Sequence, residues 1–260
     1  MKRRHLIWGV TLSLVSIFLM GASMDVNASL FGVGDTNWKE EALQHDGSTV
    51  IVERSQSRGG RHEIGQGPPV KEQSIRFTLP GTNKTFTWKD EFSQDVGSAN
   101  FNVLALHVLN GVPYVVVSAY GCLAYNKWGR PNPPYVIFRF DVKAWQRIPL
   151  HELPSELTNI NLVIDSSNNE EKLRSIGLVS AEPVKEFNKW YRQPEFRTIV
   201  REPLANAAGS CGEMVYDGHG GWTGIGWFKK QSSREACLKY CELEKIESSY
   251  CPCETIFEGK

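Results

Sequence analysis

The sequence predicts an α+β protein: a mainly antiparallel β body, sandwich- or barrel-like, followed by a helical segment and a small disulfide-rich C-terminal module. Three observations predict it. Residues 49–150 alternate apolar and polar side chains between turn sequences, helical apolar spacing begins only after residue 170, and five of the six cysteines lie between Cys211 and Cys253. A length of 260 residues with 41% apolar content is enough for one large domain or two small ones. The 29 basic side chains are matched by 29 acidic ones, which argues against non-specific nucleic-acid binding, since that needs a basic surface to displace counterions.

Residues 1–28 have the layout of a secretory signal peptide. Lys2, Arg3 and Arg4 form a positive start, residues 6–20 carry no charge, and Val26-Asn27-Ala28 places small residues at a cleavage site. The uncharged stretch of 15 residues is short for a membrane span, which takes about 20 apolar residues, and no later segment is long enough. The expected product is periplasmic or secreted, with no membrane span after cleavage. Losing Lys2, Arg3, Arg4 and Asp25 leaves a net charge of −2, too small for strong electrostatic steering.

Residues 29–165 are assigned to the β-rich body. Ile75, Phe77 and Leu79 share one face, Pro80-Gly81-Thr82-Asn83 has turn chemistry, and Phe86 and Trp88 share the next face, so the segment reads as a hairpin. Residues 101–109 and 112–118 form a second hairpin across Asn110-Gly111, a pair suited to the positive φ angles of a tight turn. A third joins 135–140 to 145–148 around Asp141-Val142-Lys143. On the second hairpin, alternation groups His107 with Phe101, Val103 and Ala105, which suits a half-buried, hydrogen-bonded histidine. The repeated Pro-Tyr-Val at 113–115 and 134–136 hints at a propeller, but the β region is too short for one, and seven or eight strands in a sandwich or open barrel fit better.

Residues 166–208 are assigned to a helical segment. Residues 170–176 offer one short helix. Ser180-Ala181-Glu182-Pro183 starts another, with Ser180 as cap, and Val184, Phe187, Trp190 and Tyr191 form one apolar stripe as far as Arg192. Residues 209–260 form the Cys-rich module, which opens with five glycines in 218–226. Ser232-Ser233-Arg234-Glu235 reads as a capping box with Ser232 and Glu235 reciprocal, and its helix carries Cys237, Tyr240 and Cys241 on one face.

An even number of cysteines in an exported chain predicts three disulfides among Cys122, Cys211, Cys237, Cys241, Cys251 and Cys253. Cys237 and Cys241 point the same way and must each reach another segment. Full pairing requires Cys122 to tie the body to the module, and the connectivity stays open. Zinc is the alternative use of these thiols, but C-x3-C and C-x-C spacings are not those of zinc knuckles. No metal or cofactor is assigned. The segment Ser233-Arg234-Glu235-Ala236-Cys237-Leu238-Lys239-Tyr240-Cys241, with the cysteines after it, resembles apple-type (PAN) modules, which implies adhesion to proteins or carbohydrates. Ser29-Leu30-Phe31-Gly32-Val33-Gly34, Arg61-His62-Glu63-Ile64-Gly65-Gln66 and Tyr125-Asn126-Lys127-Trp128-Gly129-Arg130-Pro131-Asn132-Pro133-Pro134-Tyr135-Val136 resemble a family of uncharacterised exported bacterial proteins. That resemblance implies export and carries no activity.

Two loops hold the candidate ligand-binding residues. In the first, Trp128 and Tyr135 flank a proline run with Arg130 and Asn132, an arrangement suited to sugar faces or a partner's side chains. In the second, a flexible polar loop, Arg61, His62 and Glu63 could bind an anion or serve as acid and base. No residue is assigned a catalytic role, because the chain has no nucleophile elbow, phosphate loop, dinucleotide fingerprint or zinc-protease pair. The function expected is therefore a non-enzymatic exported binding or envelope-associated structural protein with a protein or carbohydrate partner. The alternatives are a periplasmic hydrolase using Arg61-His62-Glu63 and a thiol–disulfide redox protein built on Cys251-Pro252-Cys253.

Overall fold

A computed structural model describes residues 35–164 and 169–258, all within one compact unit. Residues 1–28, for which a signal peptide is expected, residues 29–34, most of the polar linker at 165–169 and residues 259–260 lie outside the described residues. The β body consists of two four-stranded antiparallel meanders. The first runs β1 (Thr36–Leu43), β2 (Thr49–Arg58), β3 (Val70–Thr78) and β4 (Thr85–Asp90), and the second runs β5 (Phe101–Leu109), β6 (Val112–Ala119), β7 (Val136–Asp141) and β8 (Ala144–Ile148).

The three hairpins read from the sequence are present. Phe77 faces Phe86 and Ile75 faces Trp88 across β3 and β4, as alternation requires on both sides of the Pro80-Gly81 turn. Asn110 and Gly111 adopt φ of 52° and 74°, the left-handed pair that a two-residue turn needs. In the third, Asp141 pairs with Ala144 around Val142-Lys143. The two sheets share one core. Val52, Ile75, Phe77 and Trp88 from the first meet Phe101, Val103, Val117 and Val136 from the second. The other face of the second sheet is also covered, because Leu104, Tyr114, Val116 and Ile137 pack against Leu153, Leu157, Ile164 and Ile199 from the segments that follow.

A β-bulge between Val103 and Ala105 alters the expected alternation. Its extra residue reverses the phase of β5. Phe101 and Val103 face the shared core, whereas Ala105 lies in the second core, so His107 does not share the face of Phe101. His107 is fully rather than half buried, with Nε2 2.8 Å from the carbonyl of Asn159.

β1 lies before the stretch in which alternation was legible. Its buried face is Thr36, Trp38, Glu40 and Ala42, and a glutamate in that series masks the apolar pattern. Glu40 is tolerated because Arg54 of β2 donates to it at 2.7 Å and the amide of Val163 donates to its other oxygen at 2.7 Å. The two meanders are joined at Asp90, whose buried carboxylate accepts from the amides of Asn100 and Phe101 at 3.0 and 2.9 Å.

Two short helices, α2 (Glu170–Ser175) and α3 (Ala181–Phe187), bury Leu173, Val184 and Phe187 with Trp38 of β1. Ser180 makes no capping bond; the amide of Ala181 instead donates to Glu41 of β1 at 3.1 Å. The apolar stripe also stops early. Asn188 is drawn into the core, where it donates to the carbonyl of Leu162 and accepts from the amide of Ile164, so the helix ends at Phe187. Trp190 is left exposed, and Tyr191 packs on the second core.

The module contains a hairpin of β9 (Met214–Tyr216) and β10 (Trp222–Gly224), then α4 (Gly226–Lys229), α5 (Arg234–Leu243) and α6 (Cys253–Phe257). The cap of α5 is Ser233, not Ser232: its hydroxyl accepts from the amide of Ala236 at 3.2 Å. All six cysteines are paired, as Cys122–Cys211, Cys237–Cys253 and Cys241–Cys251. Cys122 therefore ties the module to the body, on the helix α1 (Gly121–Lys127) that follows β6.

Candidate partner-binding groove

The aromatic–proline loop begins where α1 ends, and most of its side chains are used to hold neighbouring chain. Trp128 folds back onto the shared core, with ring centroids 4.7 Å from Phe101 and 6.0 Å from Phe138, and its indole donates to Asn100 at 3.2 Å. The guanidinium of Arg147 from β8 lies 5.5 Å from the centre of the same indole and donates to the Trp128 carbonyl at 3.1 Å.

Arg130 clamps the Cys-rich module. It donates to the carbonyls of Cys211 at 3.0 Å and Gly212 at 2.9 Å, and it stacks over Tyr125. Asn126 works beside it, donating to Gly212 and accepting from the amide of Met214, both at 2.9 Å. With Cys122–Cys211 alongside, this corner is secured both covalently and by directional bonds.

Asn132 binds Leu204 reciprocally, donating to its carbonyl at 2.9 Å and accepting from its amide at 2.7 Å; the Asn132–Pro133 peptide is cis. Tyr135 is buried at 5% exposure. Its hydroxyl lies 2.9 and 3.2 Å from the carbonyls of Glu195 and Thr198, which share its proton, and it accepts from the amide of Val200. Burial pushes this phenol up to about 12, so it remains a neutral donor at physiological pH.

Asn132, Pro133 and Tyr135 line a shallow groove of about 430 Å³. Arg147, Pro149 and Leu150, where β8 ends, line it as well. The lining combines proline, leucine and isoleucine side chains with one cationic and one amide side chain. It is preorganised, because the hydrogen bonds of Asn132 and Tyr135 fix the loop before anything binds. Arg147 and Leu150 had no distinguishing sequence signal: Arg147 reads as an outward polar position on a strand, and its place beside Asn132 depends on the β7–β8 pairing.

The Arg61–His62 loop lies elsewhere. Arg61 donates to the carbonyls of Gln94 and Gly220 at 3.2 and 3.4 Å, and so ties this loop to the glycine-rich stretch of the module. His62 is exposed, and its Nδ1 meets the carbonyl of Gly60 in its own loop at 3.0 Å. Glu63 meets Gln66 at 3.4 Å. These contacts add no support for acid–base chemistry at His62.

A smaller, more enclosed cavity of about 130 Å³ lies beside β2, β3 and β5. Three of its polar side chains are bound: Arg58 to Glu170 at 2.8 Å, Gln56 to Gln73 at 3.2 Å, and Gln73 to Asp90 at 3.1 Å. The sulfurs of Cys241, Cys251 and Cys253 are clustered closely enough to hold a metal, but each is committed to a disulfide. Comparison with protein-family models, with curated proteins and with solved structures gave no match.

Proposed function

We propose that this chain is an exported, non-enzymatic binding protein that holds an extended segment of a protein partner in the groove between the proline loop and the end of β8. Export is supported by three disulfides, which persist in oxidising compartments. No helix among the described residues is long and apolar enough to cross a membrane. The observation that carries the binding role is the convergence of Asn132, Tyr135, Arg147 and Leu150 on one preorganised groove. Because β8 is the last strand of its sheet, a partner in extended conformation can run along that edge. An apolar side chain would then rest on Pro149 and Leu150, and a carboxylate would meet Arg147.

Photocrosslinking tests this. A photoreactive phenylalanine analogue replacing Leu150 should give a discrete adduct in the exported protein, whereas one replacing Ile51 on β2 should give none. Adding Arg147→Glu should reduce the adduct about tenfold, the effect of losing one charge-assisted contact. Absence of an adduct at 150, or an adduct indifferent to Arg147→Glu, would refute the groove.

A further inference from the structure

The C-terminal module packs two disulfides side by side. Cys237 and Cys241 lie one turn apart on the buried face of α5, and they pair with Cys253 and Cys251 respectively. Only Pro252 separates Cys251 from Cys253, so the two bonds are pressed together. The Sγ of Cys253 lies 3.4 Å from that of Cys251 and 3.7 Å from that of Cys241, neither of which it is bonded to. Both sulfurs of one disulfide are thus in van der Waals contact with a sulfur of the other, so a thiolate freed at either would start next to the bond it attacks. Access is graded as well. Cys237 and Cys253 are 0% exposed and Cys241 is 4% exposed, whereas Cys251 is only partly buried.

We propose that the module contains a two-disulfide relay, in which a dithiol reductant entering at Cys251 opens the buried Cys237–Cys253 bond by exchange inside the protein. This goes beyond the binding role and does not depend on the groove. In the first step a thiolate of the reductant attacks the Sγ of Cys251. The Cys241–Cys251 bond breaks, and its electron pair leaves on Cys241. The reductant's second thiol closes on its first sulfur, releasing a cyclic disulfide and the Cys251 thiolate. Either Cys251 or Cys241 then attacks the Sγ of Cys253. A new disulfide forms to Cys253, and the bond to Cys237 breaks with its electron pair on Cys237, which takes up a proton. The reductant is oxidised by two electrons, and the protein ends with one disulfide and two thiols in place of two disulfides. Whichever cysteine attacks, Cys237 is the leaving group, and α5 loses its Cys237 link to the start of α6.

Limited reduction of the oxidised full chain tests the relay. The chain is treated with a limiting amount of dithiothreitol, quenched with acid, alkylated and mapped by peptide mass, with Cys122–Cys211 tracked separately. Among molecules with one open bond in the module, label on Cys237 together with label on Cys241 or Cys251 is expected. Label confined to Cys241 and Cys251, with Cys237–Cys253 closed, would overturn the proposal. The double variant Cys241→Ser/Cys251→Ser removes both internal attackers. Where its near-UV circular dichroism matches that of the parent, its Cys237–Cys253 bond should open about tenfold more slowly. An unchanged opening rate would also overturn the relay, and the labelling pattern of the unaltered chain decides the matter without the variant.

Discussion

His107 is held by one hydrogen bond at Nε2, and among the described residues its Nδ1 has no partner. Donation to the Asn159 carbonyl requires the proton on Nε2, and burial without a partner for Nδ1 disfavours a second proton there. Burial pulls this imidazole down to about 4, from an ordinary value near 6.5. Between those two values the unfolded chain binds a proton that the folded chain refuses, so this group removes stability as pH falls from 6.5 to 4. The window is worth about 3 kcal/mol. In urea unfolding, the stability advantage of the parent over His107→Gln should therefore shrink by about 3 kcal/mol between pH 7 and pH 4. Parallel profiles would mean that the ring titrates as it does in the open chain. The Glu40–Arg54 pair is also fully buried. Desolvation raises the Glu40 carboxyl despite the pull of Arg54. Arg54→Met should cost about 3–5 kcal/mol by stranding that carboxylate, and the double change Glu40→Met/Arg54→Met should recover much of the loss. Equal stability of the single and double variants would show that a stranded Glu40 carboxylate is not the source of the loss.

The element joining body and module is α1 with the loop after it. Cys122–Cys211 spans 89 residues, and Arg130 and Asn126 bind the chain next to Cys211. Closing so long a loop constrains the unfolded chain, so Cys122→Ser/Cys211→Ser should lower stability by about 2–4 kcal/mol. Amide exchange should rise first around 209–216, where those bonds hold the chain. Exchange rising uniformly across the body would contradict this assignment. Trp128→Ala should act as a core substitution, costing about 3 kcal/mol through the lost contacts with Phe101 and Phe138. A partner-binding defect with stability unchanged would contradict the packing.

Over the whole molecule, the two parts are stabilised differently. Outside the module, the described residues form three apolar clusters: one between the sheets, one beneath the second sheet, and one of Trp38 and Val163 with the helices α2 and α3. The module core consists of Val215, Phe228 and Ile246 with Cys237, Cys241 and Cys253, so cysteines make up half of its buried members. Full reduction should leave the β signal in far-UV circular dichroism largely intact while amide protection is lost across α5 and α6. Loss of the β signal in step with reduction would show that the disulfides support the sandwich as well.

The hairpins were legible because each is local: alternation places residues on a face, and Asn110-Gly111 or Pro80-Gly81 closes the strands within a few residues. The even number of crowded cysteines, behind the export layout read from residues 1–28, likewise implied disulfides. Other features depend on partners distant in sequence. The charged face of β1 makes sense only beside Arg54 and Val163, and α3 ends where Asn188 reaches Leu162 and Ile164. Which cysteines pair, and that Arg147 and Leu150 line one groove with Asn132 and Tyr135, follow from strand pairing and from the docking of the module. Local propensity governs contacts a few residues apart, whereas burial of charge, helix ends and binding surfaces are settled by which segments meet once the chain has folded.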